Sequence, residues 1–186
     1  ELYRVFPVES EPSCAEPKGY RYANYFIDRK ITQIERIRLL NGIGERFGEK
    51  NDLKLFTLDS NYKIKGISNM GVAEYNSEMP YVFRDSRINL NITLRSIKYG
   101  IPLRCMDILG CGGFLLTNYQ PDFLIDFVPG QDFVYYEDMD DMLGKIDYYL
   151  SHESERADIA AAGADKARTL FSLKAVYERI FEIAGI

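Results

Sequence analysis

Hydrophobic and polar positions repeat first at helical spacing and then at strand spacing. Between residues 20 and 47 the apolar side chains form one stripe broken by charges, which predicts an amphipathic helix. Gly42, Gly44 and Gly48 are expected to end this helix, because glycine favours helix C-termini. The next run, 53–58, is apolar and is followed by a polar turn, so it predicts a strand.

The rest of the chain alternates between strand and helix patterns, after a segment, 66–77, that predicts a loop. Such alternation is typical of a mostly parallel sheet covered by helices on both faces, so we predict an α/β, Rossmann-like fold. Strands are predicted over 87–93, 113–117 and 133–136, and helices over 79–85, 102–110, 121–127, 138–150, 153–170 and 172–184.

The domain organisation follows from the same patterns. Residues 1–19 contain three prolines and no sustained period, which indicates a linker or a displaced arm. Residues 20–186 are long enough for one domain with a substantial core. The chain does not begin with Met, so we expect a fragment or a processed product.

Composition and charge exclude several classes of protein. The net charge is −5, whereas a nucleic-acid binder would usually carry a basic excess. The apolar runs are too short for a transmembrane segment, and the first residues lack a signal sequence. Three cysteines without paired spacing argue against a disulfide framework, so Cys105 and Cys111 are expected to be small buried residues of a cytoplasmic protein.

The single histidine, His152, lies between two predicted helices. One histidine with scattered cysteines cannot build a usual zinc site, and any histidine-dependent nucleophilic mechanism would have to use His152. We therefore expect a structural role for His152, no metal site and no cofactor.

The candidate binding site lies where the predicted strands end. Ligands of such sheets bind at the carboxyl ends of the strands, and the strand 87–93 ends in Asn91 and Thr93, followed by Arg95. Gly100 then lets the backbone turn, and Pro102 suits the first position of a helix. A helix N-terminus facing the strand ends attracts phosphate.

Arg104 and Asp107 support this interpretation. A cation in the first turn of a helix opposes the helix dipole, which is reasonable if an anion binds nearby. Asp107 lies three residues later on the same face, where it can accept from ribose hydroxyls. The alternative is an ordinary surface pair, with Gly110, Gly112 and Gly113 only capping the helix and starting the next strand.

The segment from Gly100 through Arg104 and Asp107 to Thr117 resembles the donor-binding domain of group 1 glycosyltransferases with the GT-B fold. The segment 127–136, the acidic helix start after it, and residues 152–163 resemble the same family, and the similarity is greatest to its CgeB-like subgroup. The resemblance covers residues 54–186 and is most specific over 89–136.

This resemblance implies a nucleoside-diphosphate sugar as the donor, metal-independent transfer, and an acceptor held by a second, N-terminal domain. It places Gly100, Ile101, Pro102 and Leu103 in a turn that faces the diphosphate. A family glutamate that grips the donor ribose corresponds to Asp107. A second glutamate that contacts the sugar is replaced here by Tyr99, which leaves the sugar and the catalytic residues open.

Two further motifs have alternative interpretations. Asp138-Met-Asp140 has the form by which other glycosyltransferases hold a metal and a diphosphate, but it precedes a helix, where Asp138 can act as the N-terminal cap. Tyrosines such as Tyr135 and Tyr136 more often form core and rim than stacking platforms for a base.

Three functions remain open from the sequence: the donor-binding half of a glycosyltransferase, a nucleotide-sugar-binding module without turnover, or an interaction domain. Nucleotide binding would separate the first two from the third. Turnover by the full-length protein would separate the first from the second.

Overall fold

The computed structural model describes residues 17–186, so most of the predicted linker, residues 1–16, lies outside the described part of the chain. The first helical stretch consists of α1 (Lys18–Arg21), a π-helical segment (Tyr22–Ile27) and α2 (Asp28–Phe47). The predicted helix is therefore confirmed, although it begins two residues earlier than expected.

Gly42 and Gly44 lie inside α2 and do not end it, contrary to the sequence prediction. A Cβ atom on Gly44 would collide with the carbonyl oxygen of Lys65, and one on Gly42 would collide with the Met139 side chain. These glycines allow close packing between α2 and its neighbours, and only Gly48 follows the helix end.

The strands form two parallel sheets instead of the single sheet that the pattern suggested. β1 (Lys54–Phe56) pairs with β2 (Ser68–Gly71), and β3, β4 and β5 form a second sheet in that order. The segment 66–77 was predicted to be a loop, and β2 corrects that prediction. Ser68 and Asn69 are polar and Met70 is half exposed, so pairing with β1 defines this strand where hydrophobic patterning does not.

The second sheet contains β3 (Asn89–Asn91), β4 (Leu115–Asn118) and β5 (Val134–Tyr136), joined in parallel register. Each lies at its predicted position but is shorter or shifted at the ends, as hydrogen-bonded pairing covers less than the apolar run. The intervening and following helices are α3 (Met79–Asp85), α4 (Leu103–Gly110), α5 (Phe123–Asp126), α6 (Met139–Ser151), α7 (Glu153–Phe171) and α8 (Leu173–Ala184).

Helices cover both faces of the three-stranded sheet. Alternate strand residues point to opposite faces, so Leu116 and Val134 pack with Met142 of α6 and Ile43 of α2. Leu115 packs on the other face, in a cluster that includes residues of α3, α4, α5 and α7. The predicted α/β fold with helices on both faces is confirmed. No helix within residues 17–186 is long and apolar enough to cross a bilayer.

Candidate functional site

The candidate site lies at one edge of the three-stranded sheet. Because β3, β4 and β5 are parallel, their carboxyl ends meet at this edge, and the segments 92–102, 119–122 and 137–138 leave the sheet there. The edge is therefore formed by residues from distant parts of the sequence.

Asn91 and Thr93 are buried at the end of β3 and hold the edge together. The Asn91 amide nitrogen donates to the hydroxyls of Thr93 (2.9 Å) and Thr117 (3.0 Å). The Thr93 backbone N–H donates to the Asn118 side chain at 2.8 Å. Both side chains were predicted to bind the donor, and the structure shows them linking β3 to β4 just beneath the surface of the edge.

The N-terminus of α4 faces the same edge, as the sequence predicted. Pro102 precedes the helix in an extended conformation, and Cys105 in the first turn is fully buried against Thr117 at the end of β4. Burial raises the pKa of the Cys105 thiol to about 12, against the opposing effect of its hydrogen bond with Thr117. The Cys105 N–H donates to the Pro102 carbonyl oxygen at 2.9 Å, so the first-turn N–H groups available to an anion are those of Leu103 and Arg104.

Two arginines lie at this edge, on helices that pack against opposite faces of the sheet. Arg104 lies in the first turn of α4 and is exposed, and within residues 17–186 its guanidinium makes no hydrogen bond or ion pair. Arg36 of α2 is half-buried and donates to the carbonyl oxygen of Ile92 at 2.7 Å. Burial lowers the pKa of Arg36, and the positive charge of Arg104 lowers it further. Within the described residues neither guanidinium forms an ion pair with a carboxylate, so the two arginines form a cationic site.

Arg36 was missed by the sequence reasoning. It lies in the middle of a long amphipathic helix, where an arginine usually belongs to the solvent-exposed face. Only the packing of α2 against the sheet brings it to the strand ends.

Asp107 lies in the second turn of α4 and accepts a hydrogen bond from the Tyr75 hydroxyl at 2.8 Å. This hydrogen bond raises the pKa of Tyr75. Arg104 and Asp107, both within the described range, do not form an ion pair with each other, which the alternative of a surface pair would require. One carboxylate oxygen of Asp107 is thus engaged by Tyr75, and within residues 17–186 the other oxygen makes no hydrogen bond or ion pair.

The predicted diphosphate-facing turn, residues 100–103, is anchored by a carboxylate. The Gly100 N–H donates to Asp122, which follows β4, and Gly100 has a positive φ of 84° that favours glycine. Ile101 and Pro102 are half-buried, whereas Leu103 and Tyr99 are largely exposed. Asp122 was not singled out from the sequence, since its role depends on two loops meeting.

Arg95, also predicted to bind the donor, is engaged elsewhere. Its guanidinium pairs with Glu35 at 2.7 Å, and its backbone N–H donates to the Thr32 hydroxyl at 3.1 Å. These contacts fasten the segment after β3 to α2. Arg95 is thus partly neutralised, in contrast to Arg104.

The acidic segment before α6 caps the helix. Asp138 precedes Met139, the first helical residue, and its carboxylate accepts from the Asp141 N–H at 2.9 Å. This confirms the capping interpretation. Within residues 17–186 no group of three or more His, Cys, Asp or Glu side chains is arranged to hold a metal ion.

His152 joins α6 to α7 and is exposed, as predicted. Its ring stacks on Tyr148 with centroids 3.7 Å apart, and Nδ1 lies 2.7 Å from the Tyr148 carbonyl oxygen. These contacts stabilise the junction between α6 and α7, which is separate from the strand ends that form the candidate site.

Comparison with known proteins gives a family match. The model of a family described as glycosyl transferase-like matches residues 37–182, which include the sheet, α4 and the candidate site. No curated protein is significantly similar to the chain in sequence.

Two solved structures share the fold. A glycosyltransferase from Rickettsia africae superposes with a TM-score of 0.62 at 14% identity, covering 80% of this chain and 43% of that one. The Anabaena protein HepE (Alr3699), solved in complex with UDP-glucose, superposes with a TM-score of 0.53 at 12% identity, covering 64% of this chain and 32% of that one. This chain therefore spans less than half the length of either protein.

Proposed function

Because the chain belongs to the glycosyl transferase-like family, we propose that it is the nucleotide-sugar-binding half of a GT-B glycosyltransferase. Residues 20–186 form the donor-binding domain, and a nucleoside-diphosphate sugar lies along the carboxyl ends of β3, β4 and β5. The sugar is transferred without a metal to an acceptor held by an N-terminal domain of the full-length protein. We assign the chain to the CgeB-like subgroup and to the cytoplasm as part of the same proposal.

The observation that carries this proposal is that Arg36 and Arg104 both lie at the edge where α4 begins, with the charge of Arg104 lowering the pKa of Arg36. Two neighbouring guanidinium groups repel each other, and an anion bound between them would relieve that repulsion. The planar guanidinium matches paired phosphate oxygens, and the N-terminus of α4 adds N–H donors. A diphosphate satisfies all of these groups together.

The remaining residues take roles that follow from their positions. Asp107 accepts from the ribose hydroxyls through the oxygen that Tyr75 leaves free. The turn containing Gly100, Ile101, Pro102 and Leu103 lines the diphosphate, held in place by Asp122. Asn91, Thr93 and Arg95 contribute by fixing the strand end and the segment that follows it.

A thermal-shift experiment tests donor binding. UDP or GDP should stabilise the chain by RT ln(1 + [L]/Kd), which is about 2.7 kcal/mol at a hundredfold excess over Kd. Uridine and guanosine serve as controls, because they lack the diphosphate that the arginines would bind. If no nucleoside diphosphate stabilises the chain more than its nucleoside, the proposal is wrong.

A second candidate function is a nucleotide-sugar-binding module without turnover. It is favoured by Tyr99, which stands where the resemblance expects a sugar-contacting glutamate and is 80% exposed. The chain alone should transfer no sugar in either case, because a GT-B cleft needs both domains to exclude water. Donor turnover by the full-length protein would support the enzyme, and donor binding without turnover would support the module.

A further inference from the structure

A cleft of about 580 Å³ lies at the edge of the three-stranded sheet opposite the candidate donor site. Ser86 and Arg87 line it just before β3 begins, and Gly112 lines it just before β4 begins. The donor-site residues follow these strands instead. Because the strands are parallel, the two sites are separated by the length of the sheet.

Four arginines line this cleft against two aspartates, in a chain whose net charge is −5. Arg84 is neutralised by its neighbour Asp85 at 2.8 Å. Among the described residues, no carboxylate lies within 4.0 Å of the guanidinium groups of Arg87, Arg156 or Arg168. The cleft therefore carries a local excess of positive charge.

Arg156 is the least expected of these residues, because it is charged and yet only 8% exposed. Its Nη1 atom donates to the carbonyl oxygen of Tyr149 at 2.6 Å, near the end of α6. The partial negative charge of a helix C-terminus compensates a cation only in part. A buried charge normally has a full counter-charge, which this one lacks within the described residues.

Arg168 is held in the same way. Its Nε and Nη2 atoms donate to the carbonyl oxygen of Gly110, the last residue of α4, at 3.0 and 2.9 Å. Arg156 and Arg168 are thus fixed by backbone carbonyls, which leave their formal charges unneutralised. Fixed cations lose little side-chain entropy when an anion binds.

We propose that this cleft binds a small molecule carrying a phosphate group, at a site separate from the donor site. Guanidinium groups match phosphate oxygens in pairs, and the volume lies in the range of small-molecule sites. Arg156 and Arg168 form the fixed base of the site. Arg87 is exposed, and among the described residues its guanidinium donates to the Asn51 side chain at 3.0 Å, so it contacts the ligand from the start of β3.

Titration calorimetry with inorganic pyrophosphate tests this site. The parent for the experiment is the 186-residue chain carrying Arg104→Ala, so that binding at the donor site is weakened first. Pyrophosphate should still bind this parent at low salt. Adding Arg87→Ala should weaken binding about tenfold, and adding Arg168→Lys should weaken it while keeping the charge, because lysine cannot form the paired contact.

Arg179→Ala is the matched control, since Arg179 is exposed on α8 outside the cleft and carries the same charge. Succinate serves as a phosphate-free dianion and should bind much more weakly than pyrophosphate. The proposal is overturned if the Arg104→Ala chain does not bind pyrophosphate, if Arg179→Ala weakens binding as much as Arg87→Ala, or if succinate binds equally well. Arg156 is left intact because its substitution would also release the Tyr149 carbonyl and destabilise the fold.

Discussion

Replacing Arg104 with alanine should weaken UDP binding strongly without destabilising the folded chain. Arg104 is exposed, and its loss breaks no hydrogen bond or ion pair among residues 17–186. A charge-assisted hydrogen bond to a phosphate contributes about 1.5–3 kcal/mol, which is roughly a 10- to 150-fold change in Kd. The expected effect therefore lies in ligand affinity alone.

Ionic strength supplies a second signature of the same contact. The screening length is about 10 Å at 0.1 M salt and about 3 Å at 1 M, so attraction between an exposed guanidinium and a diphosphate fades as salt rises. The difference between the parent and Arg104→Ala should be largest at low salt and shrink at high salt.

Calorimetric titration of UDP at two salt concentrations measures both effects, and a urea melt checks the fold. Arg179→Ala is the control for a general change in charge, because Arg179 is exposed on α8. UDP affinity equal to that of the parent in a folded Arg104→Ala chain would refute the reasoning, as would an equal loss in Arg179→Ala.

Three further predictions concern the site and its support. Asp107→Asn should weaken UDP binding by roughly 1–3 kcal/mol with little salt dependence, measured by the same titration, and an unchanged affinity would exclude the ribose role. Asp138→Ala should lower the free energy of unfolding by about 1 kcal/mol in a urea melt, because the helix cap is lost. UDP affinity should stay unchanged with or without Mg²⁺. A loss of UDP binding that depends on Mg²⁺ would instead support a metal site. Gly113→Ala should destabilise the fold by about 1–3 kcal/mol, because its Cβ would lie 2.6 Å from the Phe83 carbonyl oxygen. Gly144→Ala is the control, since open space surrounds Gly144 inside α6, and it should stabilise the fold by up to about 1 kcal/mol. Equal stability of the two variants in urea melts would contradict the close packing just before β4.

The long helices of the second half could be predicted from the sequence almost to the residue. In α6 and α8 a polar cap, Asp138 or Ser172, precedes a sustained apolar stripe, so local physics defines both the start and the period. The strand β2 could not be predicted in this way, since Ser68 and Asn69 carry no hydrophobic signal and the strand depends on its partner. The prediction that Gly44 ends its helix was wrong for a related reason, because its close approach to Lys65 exists only in the folded chain.

The candidate site could likewise be predicted only where its residues are neighbours in sequence. Gly100, Pro102 and Arg104 are neighbours in sequence, and the turn they form at a helix start could be recognised from their order. Arg36 and Tyr75 reach the same edge from distant segments, α2 and the segment after β2, and no local pattern marks them. Tertiary packing therefore supplies the second cation and the partner of Asp107.

Amide chemical-shift mapping by NMR with UDP tests the central claim most directly. The account predicts that the signals that move belong to residues at the carboxyl ends of β3 and β4 and at the start of α4, with Gly100, Arg104 and Asp107 among them. The signals of Gly112 and Ala157, which line the opposite cleft, should move less at the same UDP concentration. Shifts confined to that cleft, or no shifts at millimolar UDP, would contradict the assignment of the donor site to the edge that carries Arg36 and Arg104.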